Sequence, residues 1–248
     1  MATAASAIET LRDWIRATPA GGMVFFGGAG VSTESGIPDF RSPNGIYAQK
    51  SSVPPETMIS RSYFNANPAA FYDFYCSSML PGDAEPNQAH RKLAELEADG
   101  ILSCVITQNV DGLHQKAGSR NVLELHGGVL RNYCMTCGKP YSLPDMLTRR
   151  KKAPDGIPRC TECTGIIKPD VVLYEEQLDR TVLERAVEAI ARAQLLVVAG
   201  TSLSVYPAAG LIDYFSGEHL VIVNRTPTPR DHLADLCVEA NVGTVFDF

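Results

Sequence analysis

The run Met23-Val24-Phe25-Phe26, set off by Gly21-Gly22 and flowing into Gly28-Ala29-Gly30, constrains this chain more than any other segment. Consecutive apolar, β-type residues without alternation read as a strand buried on both faces, the habit of parallel sheets covered by helices. A glycine turn at the end of such a strand can bring backbone N–H groups up to a pyrophosphate. The continuation departs from the usual dinucleotide fingerprint, which places a third glycine three residues after the second and a ribose-binding acid at a strand end about 20 positions on. Here Thr33 holds the third position, and Gln49-Lys50-Ser51-Ser52-Val53-Pro54-Pro55 is no strand end. Taken alone, Gly-Ala-Gly is equally compatible with an ordinary tight turn.

The pattern that begins there recurs along the chain. Ile8, Leu11, Trp14 and Ile15 mark an amphipathic first helix ending before Pro19. A helical stretch rich in Phe and Tyr is expected between Pro55 and Leu80, and Asn87 is placed to cap a helix running through Glu97 and stopped by Gly100. Ile101–Thr107, Leu195–Ala199 and Leu220–Asn224 read as buried strands, Val122–Leu125 as a shorter one, and Val182–Ala193 and Pro207–Phe215 as helices. Apolar runs alternating with helices imply an α/β fold with a doubly wound, Rossmann-like parallel sheet. Ligands of such sheets bind at the carboxyl ends of the strands. Those ends carry Gly28-Ala29-Gly30, Thr107-Gln108-Asn109-Val110-Asp111, Gly200-Thr201-Ser202 and Asn224-Arg225-Thr226.

Cys134-x-x-Cys137 and Cys160-x-x-Cys163 are separated by 22 residues. A redox motif needs only one such pair, whereas four thiolates in two knuckles make a closed tetrahedral Zn²⁺ site with no open position for water. A single structural zinc is expected, in a small module inserted at about 129–170. The large domain then comprises about 1–128 and 171–248, with a possible helical insertion at about 45–85 and the whole of 1–248 acting as one catalytic unit. Cys76, Cys104 and Cys237 are left over, and buried structural thiols are the default for them.

With 248 residues, 45% hydrophobic and 20% charged, the chain has the composition of an ordinary globular protein. Its net charge of −6 disfavours non-specific nucleic-acid binding, and Arg149-Arg150-Lys151-Lys152 reads as a solvated loop tip. The acidic and basic residues near the N-terminus argue against a signal peptide, and no apolar run approaches the length of a bilayer span. The expectation is a cytoplasmic protein with neither a nucleic-acid nor a membrane partner.

Two further features carry chemistry. Ser35-Gly36-Ile37-Pro38-Asp39-Phe40-Arg41 continues into a turn-rich loop holding a carboxylate, an aromatic ring and a guanidinium within three residues; it reads as a ligand-contacting loop, or else as a surface Ω-loop with Phe40 tucked inward. His126 lies between the short strand and Gly127-Gly128, which sets its imidazole at the mouth of the sheet as a candidate general base.

The order Gly28-Ala29-Gly30, Ser35 to Arg41, Thr107 to Asp111, Leu125-His126-Gly127, the four cysteines, Lys168-Pro169-Asp170-Val171-Val172, Gly200-Thr201-Ser202-Leu203 and Val223-Asn224 resembles the sirtuins, NAD-dependent protein lysine deacylases. The resemblance implies NAD as co-substrate, its pyrophosphate on Gly28, Ala29, Gly30 and Thr33. The adenosine half would lie near Gly200, Thr201, Ser202, Asn224 and Val242, and the nicotinamide among Ala29, Phe40, Val110 and Asp111. Asp39 and Arg41 would order the loop and phosphates, and Gln108 and Asn109 would face the nicotinamide ribose. His126, together with Asn109, would be catalytic. Acetylated protein or peptide would add as a strand against Val171, Val172 and Tyr174. Many sirtuins have Phe-Gly-Glu where this chain has Tyr174-Glu175-Glu176. The Tyr-x-x-Arg pair of members that take acidic acyl groups corresponds to Phe74 and Ser77, which implies a preference for acetyl and other neutral groups. The alternatives are a mono-ADP-ribosyltransferase and a non-catalytic NAD-sensing module. A hydride-transferring dehydrogenase is disfavoured by the missing third glycine and ribose acid.

Overall fold

A computed structural model describes residues 3–48 and 53–248. Of the segment 49–55 read above as no strand end, residues 49–52 fall outside the description.

The main sheet is built from β1 (Met23–Gly27), β2 (Leu102–Thr107), β3 (Val122–Glu124), β7 (Leu195–Ala199), β8 (His219–Asn224) and β9 (Leu236–Glu239), in the order β3-β2-β1-β7-β8-β9. Every pairing in it is parallel. Strand β1 is buried along its whole length because its residues alternate between two cores. Met23 and Phe25 pack beneath α1 (Ala4–Ala17), α5 (Gln88–Ala98) and α9 (Val242–Val245), while Val24 and Phe26 pack toward α8 (Arg180–Arg192). Burying side chains of this size contributes about 1.5–3 kcal/mol each, which is why the run is apolar throughout.

A second, three-stranded antiparallel sheet has the order β5-β4-β6, formed by β4 (Gly127–Cys134), β5 (Pro140–Ser142) and β6 (Ile167–Val171). It packs with α7 (Leu143–Lys152) and with aromatic side chains of α3 (Arg61–Ala66) and α4 (Pro68–Ser78), among them Phe64, Phe71, Tyr72 and Tyr75. The helical stretch expected from Pro55 to Leu80 is thus three helices, beginning with the short α2 (Pro55–Met58).

The N-terminal end of α5 bears on the site. Asn87 accepts from the Ala89 and His90 N–H groups, and His90 Nδ1 accepts in return from the Asn87 N–H. The Asn87 side-chain amide also donates to Val31 O (2.7 Å) and Ser35 Oγ (3.0 Å), so the cap grips the segment that follows β1.

Several expectations are corrected. A dinucleotide-binding turn opens an α-helix, whereas the turn after β1 leads into two short 3₁₀ turns, Ala29–Val31 and Thr33–Ser35. Pro207–Phe215 contains a 3₁₀ helix at Ala208–Tyr214. Arg149–Lys152 is no loop tip: Ser142 accepts from the Asp145 N–H, Pro144 sits in the first turn, and the four cations form the last turn of α7, where they complement the exposed carbonyl end of the helix. Cys237 is exposed on β9, which lies at the sheet edge, instead of buried.

Candidate active site and metal centre

The order of the sheet reverses between β1 and β7, and a crevice opens where successive crossovers leave in opposite directions. The ends of those strands touch. A Cβ on Gly28 would lie 2.7 Å from Thr201 Cβ, and one on Gly30 would lie 2.7 Å from Gly200 Cα. Gly200 itself has φ +62°, which favours glycine. The Gly28 N–H donates to Ala199 O (3.0 Å) and the Gly30 N–H to Gly200 O (2.8 Å). These glycines therefore fasten β1 to β7, and of the three turn amides it is Ala29's that stays available for a ligand. Thr33 Oγ1 donates to Gly30 O (3.0 Å) and closes the turn.

Pairing of Gly27 with Thr107 brings the end of β2 alongside. Asn109, whose N–H is held by Thr107 Oγ1 (3.0 Å), donates its side-chain amide to Gly28 O and to Ser32 Oγ, both at 3.1 Å. Ser32 Oγ in turn donates to Asp111 Oδ2 (2.7 Å), and the Leu113 N–H meets Asp111 Oδ1 (2.9 Å). Burial raises the Asp111 carboxyl pKa above its ordinary value, against the opposing pull of those two donors. Ser32 was given no role by sequence reasoning, yet it is the hinge of this Asn109–Ser32–Asp111 chain. Nothing in its neighbourhood of the sequence marks it, since its partners lie 77 and 79 positions away.

His126 sits in the tight turn between β3 and β4. Its Nδ1 is 2.9 Å from Gln108 O. A carbonyl only accepts, so Nδ1 carries the proton and Nε2 keeps its lone pair. Burial lowers the imidazole pKa from its ordinary value, with the carbonyl bond opposing, so the ring is neutral at pH 7. Gln108 Nε2 reaches Thr201 Oγ1 (3.0 Å), which ties the histidine's support to β7. Asn224 Nδ2 donates to Thr201 O (3.3 Å) and Thr226 O (3.0 Å), while Ser202 Oγ pairs with Ser204 Oγ (2.7 Å). Val242 is different: its side chain is buried in the core, and the adjacent Gly243 N–H donates to Glu34 (2.6 Å) in the segment that follows β1.

The loop from Asp39 to Ala48 folds back on itself, with the Ile46 N–H on Asp39 O (2.8 Å) and the Tyr47 N–H on Phe40 O (2.9 Å). Asp39 Oδ1 accepts from the Ser42 N–H (2.8 Å), and Oδ2 lies 3.5 Å from an Arg225 nitrogen. Phe40 is half-buried against Tyr47, with ring centroids 5.4 Å apart, and the exposed Arg41 guanidinium lies 5.5 Å from the Tyr47 ring. The Val110 carbonyl accepts from the Val129 N–H, and its side chain packs against the smaller core.

On the other side of His126, the Val172 N–H donates to His126 O (2.9 Å) and the Tyr174 N–H to Ile59 O (3.1 Å). The Leu173 N–H is taken by Glu176 (2.9 Å). Val171 is buried in the smaller core, Val172 is half-buried, and Tyr174 is exposed.

The four zinc-type cysteines come together, their sulfurs all within 4.8 Å of one another. Cys134–Cys163 and Cys137–Cys160 are 3.4 and 3.6 Å apart. Zn–S bonds of about 2.3 Å in a tetrahedron require sulfurs about 3.8 Å apart, so the set fits that ion. The Thr136 N–H on Cys134 (3.4 Å), and the Glu162 N–H (3.3 Å) and Tyr141 hydroxyl (3.1 Å) on Cys160, favour thiolates; the Tyr141 bond leads in drawing Cys160 down to about 6. All four ligand positions are filled by sulfur, so the ion would fasten the β4–β5 turn to the loop before β6.

A six-stranded parallel sheet with its polar ends around a switch-point crevice, a small metal-type module beside it and an oriented histidine at the seam define a nucleotide-binding α/β class. Residues 28–207 match the model of the Sir2 family. The chain is 52% identical over 227 residues to an NAD-dependent protein deacetylase of Clostridium acetobutylicum, covering 91% of each chain. It is 50% identical over 237 residues to one of Cutibacterium acnes, covering 95% of this chain and 94% of the relative. Among solved structures it superposes on a Sir2 protein with a deacetylated peptide and 3′-O-acetyl ADP ribose at a TM-score of 0.88, with 39% identity, 96% of this chain and 95% of that one covered. A Sir2 protein with a peptide and NAD+ gives a TM-score of 0.85, with 39% identity and the same coverage. The chain belongs to the Sir2 family.

Proposed function

We infer that this protein is an NAD-dependent protein lysine deacetylase, a transferase that moves an acetyl group from lysine to ADP-ribose and releases nicotinamide. The observation that carries the reading is the orientation of His126: Nδ1 is committed to Gln108 O at 2.9 Å, leaving Nε2 of a neutral ring as a base. Relatives over most of the chain are named for this activity, and related Sir2 structures hold acetylated or propionylated peptides.

NAD supplies a glycosidic bond activated for cleavage, and the acetyl oxygen of the substrate would be the nucleophile at the anomeric carbon. The protein's part is to bind, orient and move a proton. Ala29 and Thr33 would serve the pyrophosphate, with Gly28 and Gly30 keeping the turn close to β7; Gly200, Thr201, Ser202 and Asn224 would serve the adenosine half, and Val242 by its backbone. Asp111 would accept from the carboxamide N–H₂ beside Ala29, Phe40 and Val110. Asp39 and Arg41 would order the loop, and Gln108 and Asn109 would meet the ribose. His126 Nε2 would take the proton from a ribose hydroxyl. The peptide would lie along Val172 and Tyr174, with Val171 setting the course of the backbone from within the core. Because the Val172, Leu173 and Tyr174 N–H groups already have partners, an added strand would engage the carbonyls of this segment or displace one of those bonds.

Phe74 belongs to an apolar cluster with Ile46, Met58 and Ile59, and Ser77 Oγ bonds to Phe74 O (3.1 Å). Neither position offers a cation, which favours neutral acyl groups, because burying an unpaired carboxylate is costly. The single chain would work as one catalytic unit in the cytoplasm. Incubating an acetylated peptide with and without NAD and following it by mass spectrometry tests cofactor dependence and reaction type together. A mass loss matching exchange of one acetyl group for hydrogen, seen only with NAD, would support deacetylation; label from NAD appearing on the peptide would instead establish ADP-ribosyl transfer.

A further inference from the structure

Tyr47 and Tyr174 lie 127 positions apart in the chain, and their hydroxyls are 2.9 Å from each other. The first belongs to the loop expected to hold NAD and the second to the segment expected to hold peptide. We propose that Tyr174 is a positioning residue whose hydroxyl, bonded to that of Tyr47, straps the cofactor-side loop to the substrate-side segment. The proposal rests on the deacetylase reading for the assignment of the two sides.

Tyr174 is fixed without its hydroxyl. Its N–H donates to Ile59 O (3.1 Å) and its carbonyl accepts from the Arg61 N–H (3.0 Å). The next residue, Glu175, adopts φ +74°, a conformation that favours glycine, and both its carboxylate oxygens engage Ser62, at the N–H (2.9 Å) and Oγ (2.8 Å). This anchoring on α3 sets the ring in place, so the phenolic oxygen is free to act on something else. Packing does not call for a tyrosine here, because the residue is 38% exposed.

Tyr47 is the matching point on the loop. Its N–H closes the loop on Phe40 O, its ring carries Phe40 on one side, and the Arg41 guanidinium lies 5.5 Å from the ring centroid. A bond that fixes Tyr47 therefore fixes the side chain expected to wall the nicotinamide and the one expected to reach the phosphates. The Asp39–Arg225 contact at 3.5 Å holds the opposite end of the loop. Without the hydroxyl pair the loop keeps the Asp39–Arg225 contact and the packing of Ile46 on Met58, Ile59 and Phe74 but loses the bond that fixes the Tyr47 ring, so more of its ordering falls to NAD, which weakens NAD binding.

The test compares wild type, Tyr174→Phe, Tyr47→Phe and the double variant, measuring nicotinamide release for KM of NAD and of an acetylated peptide, and calorimetry for NAD binding. Loss of one hydrogen bond predicts a rise of about three- to tenfold in the NAD KM and Kd of Tyr174→Phe, larger than any accompanying change in its peptide KM. Tyr47→Phe gives the same shift, and the double variant is no worse than either single change, because both remove one bond. Effects that multiply in the double variant, a rise confined to peptide KM, or an unchanged NAD Kd overturn the strap; the Tyr174→Phe arm decides alone should Tyr47→Phe fail to fold. A wild type that binds NAD but leaves the acetylated peptide intact overturns the deacetylase reading and leaves the Kd comparison as the test of the strap. A wild type that binds no NAD overturns both.

Discussion

One ring nitrogen of His126 is committed to a backbone carbonyl and the other is not, and burial holds the ring neutral. A base works only while unprotonated, and the lowered pKa keeps it so to a pH below the ordinary histidine value of about 6.5. The kcat/KM profile should therefore be flat through neutrality, with its acidic limb below pH ~6.5. Replacing His126→Ala should cost roughly 10²–10⁴-fold in kcat, the usual worth of a general base, while calorimetry finds NAD affinity within a few fold; undiminished turnover would exclude the role. Ser32 makes a different kind of contribution. Its hydroxyl both accepts from Asn109 and donates to Asp111 at 2.7 Å. Ser32→Ala leaves a buried carboxylate one donor short, and the expected destabilisation is about 1–3 kcal/mol. A urea midpoint equal to wild type would count against that chain of bonds.

At the scale of elements, α5 and α6 (Leu113–Ala117) bring His90 and His114 together in the core, ring centroids 4.7 Å apart. Among the described residues, neither nitrogen of His114, nor Nε2 of His90, has a hydrogen-bond partner. Burial lowers His90 to about 4 and His114 to about 3. Above pH ~6.5 the folded and unfolded chains both hold these rings neutral, so nothing is lost; below it the unfolded chain binds protons that the fold refuses. Stability contributed by the pair is thus present above the unfolded pKa and lost as pH falls toward the folded values. The expected slope is up to about 1.4 kcal/mol per pH unit for each ring. Denaturant midpoints at pH 7 and pH 5 should show the loss, and His114→Leu should reduce the difference; equal slopes in the two proteins would refute it. These elements also show where sequence reading succeeds. Met23–Phe26 and Leu195–Ala199 are legible because strands covered on both faces must be apolar throughout, and the zinc-type cysteines because ligand spacing is local. His126 is legible through its flanking glycines. Arg149–Lys152 misleads because four successive cations look like a solvated tip, while the Ser142 cap and buried Met146 that make α7 a helix lie earlier in the chain. Ser32 with Asp111, and Tyr47 with Tyr174, are contacts between distant segments, which no local pattern records.

For the whole molecule, the two sheets divide the proposed site: the turn expected to hold NAD lies on one, and the segment expected to hold peptide follows the other. The turn at Gly28–Gly30 and Gly200 belongs to the six-stranded sheet, whose strands are held by cores on both faces. Beside the three-stranded sheet the cysteine cluster brings the β4–β5 turn to the loop before β6, and a zinc ion held there would fasten them. His126 stands at the seam: β3 precedes it, β4 follows it, and its carbonyl accepts from the Val172 N–H beyond β6. On the proposed reading, loosening the small sheet would free the histidine and the segment expected to hold peptide while leaving the turn expected to hold NAD standing. Chelating the zinc should accordingly unprotect the amides of β4, β5 and β6 in hydrogen exchange before those of β1 and β7. Deacetylation should fall with the small sheet. NAD at about 100 times its Kd should still raise the thermal midpoint of the chelated protein, since binding to the folded state alone is worth about 2.7 kcal/mol at that ratio. Simultaneous exchange of both sheets, or loss of the NAD-dependent rise on chelation, would show instead that crevice and metal module form one cooperative unit.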